Sequence, residues 1–124
     1  MKQRKLISII IILGILMIAA APVFAQDSVK IRIKAKNIAF NKDELTVPAG
    51  ADVKLVFRNR EATPHNVAIY VSSDMEEVVF QGEVFKGPKK VTYEFTAPEE
   101  PGTYFFVCDI HPRTMTGDFI VTEE

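Results

Sequence analysis

From residue 29 onward, apolar side chains recur at every second position in short runs, each cut off by proline, glycine or a polar cluster. Val29, Ile31, Ile33 and Ala35 alternate with Lys30, Arg32 and Lys34, the signature of a strand with one buried face. Val53, Leu55 and Phe57 repeat the pattern, as do Val91, Tyr93 and Phe95. Leu45 and Val47 make a shorter run that ends at the turn signal Pro48-Ala49-Gly50. Residues 67–71 are mostly apolar and read as a more fully covered strand. Residues 103–108 follow Pro101-Gly102, and Phe119, Ile120 and Val121 close the series. Short strands at this spacing predict an all-β sandwich or barrel. Only residues 72–80, with Asp74, Glu76 and Glu77 near their start, have room for a short helix; a solvated loop or a helix N-terminus is the simpler expectation for the acidic cluster. Met75 in that segment reads as a surface or gap-filling side chain.

The first residues belong to a different regime. Lys2, Arg4 and Lys5 precede an apolar run over residues 6–21 that only Ser8 and Gly14 interrupt, and Val23-Phe24-Ala25 offers a signal-peptidase site. The expectation is a leader over residues 1–25, cleaved after Ala25, and one domain over residues 26–124. The rival is an uncleaved anchor, since residues 6–25 are about long enough to span a bilayer. Cleavage leaves 99 of the 124 residues, enough for one core and too few for two. The leader takes three of the fifteen basic residues and none of the sixteen acidic ones. The exported part is therefore mildly acidic, at −4, with no basic run pointing to nucleic acid. One cysteine cannot pair within the chain, so an exported Cys108 needs other protection, which a metal would give.

The chemistry is concentrated in two places. Cys108, His111 and Met115 share one stretch, Cys108-Asp109-Ile110-His111-Pro112-Arg113-Thr114-Met115, and the other histidine is His65, in Pro64-His65-Asn66. Tyr104, Phe106 and Cys108 fall on one strand face, so the sulfur is expected at the inner rim of the sandwich. Taken singly, a histidine or a buried cysteine is usually unremarkable. Here both histidines and the single thiol are used at once. Thiolate, two imidazoles and a thioether match a copper site with two His and one Cys in a trigonal plane and a weak axial Met. Structural zinc would want four strong, closed ligands, and methionine is a poor one; a catalytic zinc site with an open position is the alternative, without a convincing general base beside it. No Ser-His-Asp set can be built without a histidine already used, and no glycine-rich phosphate loop is present. Gly117 is expected to relieve a turn or a close backbone approach.

These residues resemble the small blue copper proteins, the cupredoxins of the plastocyanin, pseudoazurin and amicyanin kind. The resemblance runs through Ile38-Ala39-Phe40, Leu45-Thr46-Val47-Pro48-Ala49-Gly50, Pro64-His65-Asn66 and Pro101-Gly102-Thr103-Tyr104-Phe105-Phe106, and ends in Cys-x2-His-Pro-x2-Met-x-Gly. It implies a Greek-key β-sandwich, one type 1 copper ion cycling between Cu(I) and Cu(II), and one-electron transfer outside the cytoplasm. His65, Cys108 and His111 would be equatorial and Met115 axial, with Asn66 tying the two ligand loops together. The His111 edge, within an apolar patch including Ile110, Pro112 and Ala62, would be the electron port. Val107 stands where plastocyanin carries a tyrosine serving a second docking face, so that route is not expected here. The loop from His111 to Met115 is intermediate between the amicyanin and plastocyanin lengths.

The reading that follows is a non-enzymatic electron carrier, periplasmic or on the outer face of the cytoplasmic membrane. It would be a monomer meeting redox partners briefly, through small interfaces. It would touch a membrane only if the leader stays on. A copper-binding protein for storage or delivery would use the same four residues.

Overall fold

A computed structural model describes residues 17–22 and 28–123. Most of the leader, with its site at Val23-Phe24-Ala25, lies outside the described residues. No helix among the described residues is long and apolar enough to cross a membrane.

The described chain is all β, as the alternation demands. Its strands are β1 (Val29–Ala35), β2 (Glu44–Pro48), β3 (Asp52–Asn59), β4 (Ala68–Tyr70), β5 (Val78–Gln81), β6 (Lys89–Thr96), β7 (Gly102–Val107) and β8 (Thr116–Thr122). One sheet runs β1-β3-β6 and the other β2-β8-β7-β4-β5. The chain passes repeatedly from one sheet to the other, as a Greek-key sandwich requires. The pairs β1–β3 and β2–β8 are parallel, and the remaining pairs are antiparallel.

Period-two burial is read directly along β3, where Val53, Leu55 and Phe57 are buried and Lys54 and Arg58 are exposed. The inward faces meet in one core containing Ile33, Leu45, Leu55, Phe57, Ile69, Phe106 and Phe119. Each large apolar side chain withdrawn from water contributes about 1.5–3 kcal/mol. Phe106 lies 5.5 Å from Phe40, ring centre to ring centre, and its ring edge presses on the bare backbone of Gly117. A methyl group at Gly117 would collide with that ring, so the glycine serves a close approach. Val107 faces the other way, into a small second cluster with Ala68 and Tyr70.

Residues 72–80 form no helix: the acidic cluster Asp74, Glu76 and Glu77 lies in an exposed loop, and a strand follows it. A turn closed by Met75 N–H donating to Ser72 O leads straight into β5, which pairs with β4. As an edge strand with exposed Val78, β5 lacks the clean alternation that marks a strand in sequence. Met75 is half-buried against the second cluster, as a gap-filling side chain should be.

Candidate metal centre

The two loops named by the sequence meet at one end of the sandwich. Cys108 directly follows β7, and its N–H donates to Met115 O at 2.9 Å. His111 N–H donates to Cys108 O at 3.1 Å and Met115 N–H to His111 O at 3.0 Å. These bonds fold the stretch into a tight turn that returns into β8. His65 arrives separately, held by a pair of backbone hydrogen bonds with Phe85 of 3.1 and 3.0 Å.

Cys108 Sγ lies 3.8 Å from His65 Nδ1 and 3.8 Å from His111 Nδ1. The three donor atoms all fall within 4.8 Å of one another. With metal bonds of about 2.05 Å to nitrogen and 2.3 Å to sulfur, as zinc shows, a 120° angle puts N and S about 3.8 Å apart. Both sulfur–nitrogen separations therefore match those of a trigonal ion. Cys108, His65 and Met115 are fully buried, and His111 alone is partly exposed. Ile110 is 47% exposed, and Pro112 and Ala62 are exposed too, as an apolar rim would require.

Two carboxylates that carry no motif in the sequence organise this end. Glu61 Oε1 lies 2.5 Å from His65 Nε2. A carboxylate only accepts, so Nε2 points its hydrogen at Glu61 and Nδ1 is the nitrogen that faces the sulfur. The same carboxylate accepts from the backbone N–H groups of Asn37 (2.8 Å) and Ile38 (2.9 Å). Both residues have positive φ, 56° and 53°, and form the centre of a tight turn between Ala35 and Phe40. A β-branched residue such as Ile38 adopts that conformation at a cost of about 1–3 kcal/mol. Glu61 is what the strained turn grips. Burial pushes its carboxyl upward, but the Ile38 N–H, the His65 ring and the Asn37 N–H outweigh this and hold it below the usual range.

Asp109 is the second carboxylate. Its N–H donates to Asn66 Oδ1 at 2.9 Å, while Asn66 Nδ2 donates to Asp109 Oδ2 at 2.7 Å and to Gly82 O at 2.9 Å. Asn66 thus ties the His65 loop to the Cys108 loop, as the resemblance implied. Tyr70 donates its hydroxyl to Asp109 at 2.6 Å and Gln81 its amide at 2.9 Å. Burial raises the Asp109 carboxyl, but these donors win and hold it below the ordinary range. Burial first, and then Asp109, push the Tyr70 hydroxyl up to about 12. No buried side-chain N or O among the described residues is left without a partner. An acid next to the cysteine, and another four residues before a histidine, were the available signals. Neither is a pattern until the fold brings its donors in.

Comparison with known proteins settles the family. The sequence profile of the Cupredoxin-like domain matches residues 8–121. The chain belongs to the cupredoxin family. This cupredoxin is 28% identical over 120 residues to auracyanin-A of Chloroflexus aurantiacus, covering 76% of the chain and 74% of the relative. It is 35% identical over 82 residues to amicyanin of Paracoccus denitrificans, covering 66% of the chain and just over half, 57%, of the relative. Among solved structures it superposes on auracyanin A, described as a "blue" copper protein of a green thermophilic photosynthetic bacterium. The TM-score is 0.69 at 26% identity, over 77% of this chain and all of that one. An amicyanin variant solved in its reduced Cu(I) form matches at a TM-score of 0.55 and 30% identity, over 80% of this chain and 86% of that one.

Proposed function

We propose that this cupredoxin is a one-electron carrier whose His65, Cys108, His111 and Met115 would hold a single type 1 copper ion. The observation that carries the reading is the burial pattern around two imidazole nitrogens gathered beside one sulfur. Three of the four ligands are sealed from water, and one imidazole is partly exposed. Electrons pass through such an edge without any molecule entering the site, which fits a carrier better than an enzyme. Bound copper supplies the Cu(I)/Cu(II) couple. The protein supplies a geometry fixed in advance, with Glu61 setting the His65 tautomer and Asn66 clamping the two loops.

The proposal includes export, with residues 1–25 as the leader and residues 26–124 as the working domain, and brief encounters with redox proteins at the His111 end. Storage or delivery is the less favoured use, because ligand exchange needs the access that His65 and Cys108 lack. The test is the visible spectrum of the copper-loaded protein with copper analysis. One copper per chain, an intense thiolate-to-Cu(II) band and reversible one-electron reduction are expected. Cys108→Ser should abolish the band and leave the fold intact. A band that survives would assign the thiolate wrongly, and rapid surrender of copper to a mild chelator would favour delivery.

A further inference from the structure

We propose that the outward face of the β1–β3–β6 sheet is a docking surface for an acidic redox protein. This rests on the carrier reading for the partner's redox character; the charge on the face does not. Residues 26–124 are net acidic, yet Lys30, Arg32, Lys34, Arg58, Arg60 and Lys90 line one shallow depression on this sheet with no carboxylate among its lining residues. Parallel pairing of β1 with β3 is what brings them together, since it sets Lys34 beside Arg58, and Arg58 faces Lys90 across β6.

The charge is graded along the face. At the far end, the row Lys30, Lys54 and Glu94 is partly cancelled, with Lys54 Nζ 3.8 Å from a Glu94 oxygen. At the near end, the row Lys34, Arg58 and Lys90 is wholly cationic, and Arg60 continues it. The next pair in the register is Ala35 and Asn59, and Asn59 donates to Thr63 O and Phe85 O, the framework that carries His65. Lys89 adds a cation 5.8 Å above the Phe85 ring centre at the same end. Glu61, the acid in this neighbourhood, has its carboxylate engaged by His65, Asn37 and Ile38.

A cationic field that strengthens toward the ligand end steers an acidic partner to where electrons leave. A bilayer is the poorer match, because β1 begins at the opposite end of the sheet, where a retained leader would pull the domain down. A small anion is also a poorer match, because rows two residues apart spread the charge over about 13 Å from Lys30 to Lys34.

The probe is poly-L-glutamate, titrated into the isotope-labelled exported protein and followed by NMR with and without copper. Saturable shifts confined to β1, β3, β6 and Arg60, lost at high salt, are expected. Arg58→Gln with Lys90→Gln should weaken binding roughly tenfold. Lys30→Gln with Lys54→Gln removes the same charge from the far end and should cost less than about threefold. All four positions are exposed, so both variants keep the fold. Equal weakening by both pairs, or shifts elsewhere, would overturn the proposal. So would tighter binding to phosphatidylglycerol vesicles at equal charge, or one-to-one displacement by tripolyphosphate. Binding is read without copper and the carrier role by the blue band, so either can fail alone.

Discussion

The two imidazoles of the centre are chemically alike and structurally opposite. His65 is fully buried, its outer nitrogen is held by Glu61, its backbone is paired with Phe85, and its neighbour Asn66 is clamped to Asp109. His111 is half-exposed, and among the described residues its ring bonds only toward the cysteine sulfur. It stands on a loop flanked by exposed Ile110 and Pro112. The difference teaches how a carrier divides its labour. One ligand belongs to the scaffold and fixes geometry, while the other belongs to the surface and makes contact.

Removing each ring in turn is the strongest way to break this comparison. His111→Gly should lose the blue band and regain it when imidazole is added, because its space opens to solvent. His65→Gly should lose the band and stay colourless with imidazole present, since the vacated site is sealed and leaves Glu61 without its partner. Absorbance with and without added imidazole reads both. Recovery in both variants would mean that the two sides are equally accessible and would erase the distinction.

The clamp offers the next largest effect. Asn66→Ala leaves Gly82 O and the Asp109 N–H without their partners in a buried setting, and should cost about 2–3 kcal/mol of stability. Thr114→Ala, on the exposed arm of the His111 loop, should cost no more than about 0.5 kcal/mol. Denaturant unfolding of the metal-free protein measures both. Comparable losses would show that the loop is as firmly built as the clamp.

Much of this was legible in the chain before any coordinates. The period-two runs placed β1, β3 and β6 because one-sided burial writes itself into alternation, whereas β7, with Phe106 and Val107 both buried, was marked by its apolar run after Pro101-Gly102. The four candidate ligands stood out because soft donors are scarce in the sequence. What could not be read depends on long-range pairing. Glu61 matters only because the turn at Asn37 and Ile38, more than twenty residues earlier, folds back onto it. Asp109 looked like a spacer until Tyr70 and Gln81 converged on it from β4 and β5. The balanced charge count likewise hid the cationic face, because composition carries no information about which strands become neighbours. Edge strand β5 was missed for a related reason: with one partner strand and an exposed Val78, it shows little periodicity.

The finest test concerns how Glu61 acts on the buried side. Its carboxylate both supports a strained turn and places negative charge against His65. A nearby negative charge favours the more positive, oxidised state of the centre, so Glu61→Gln should raise the reduction potential. An effect of about 1–2 kcal/mol corresponds to roughly 40–90 mV for one electron. The same change leaves one oxygen to serve three donors, so the turn should loosen as well. Ile38→Gly separates the two roles, because glycine takes the positive φ without strain. The double variant should regain stability while keeping the raised potential. If the potential returned with the stability, Glu61 would be acting through the turn alone, and the fixed character of His65 would owe nothing to charge.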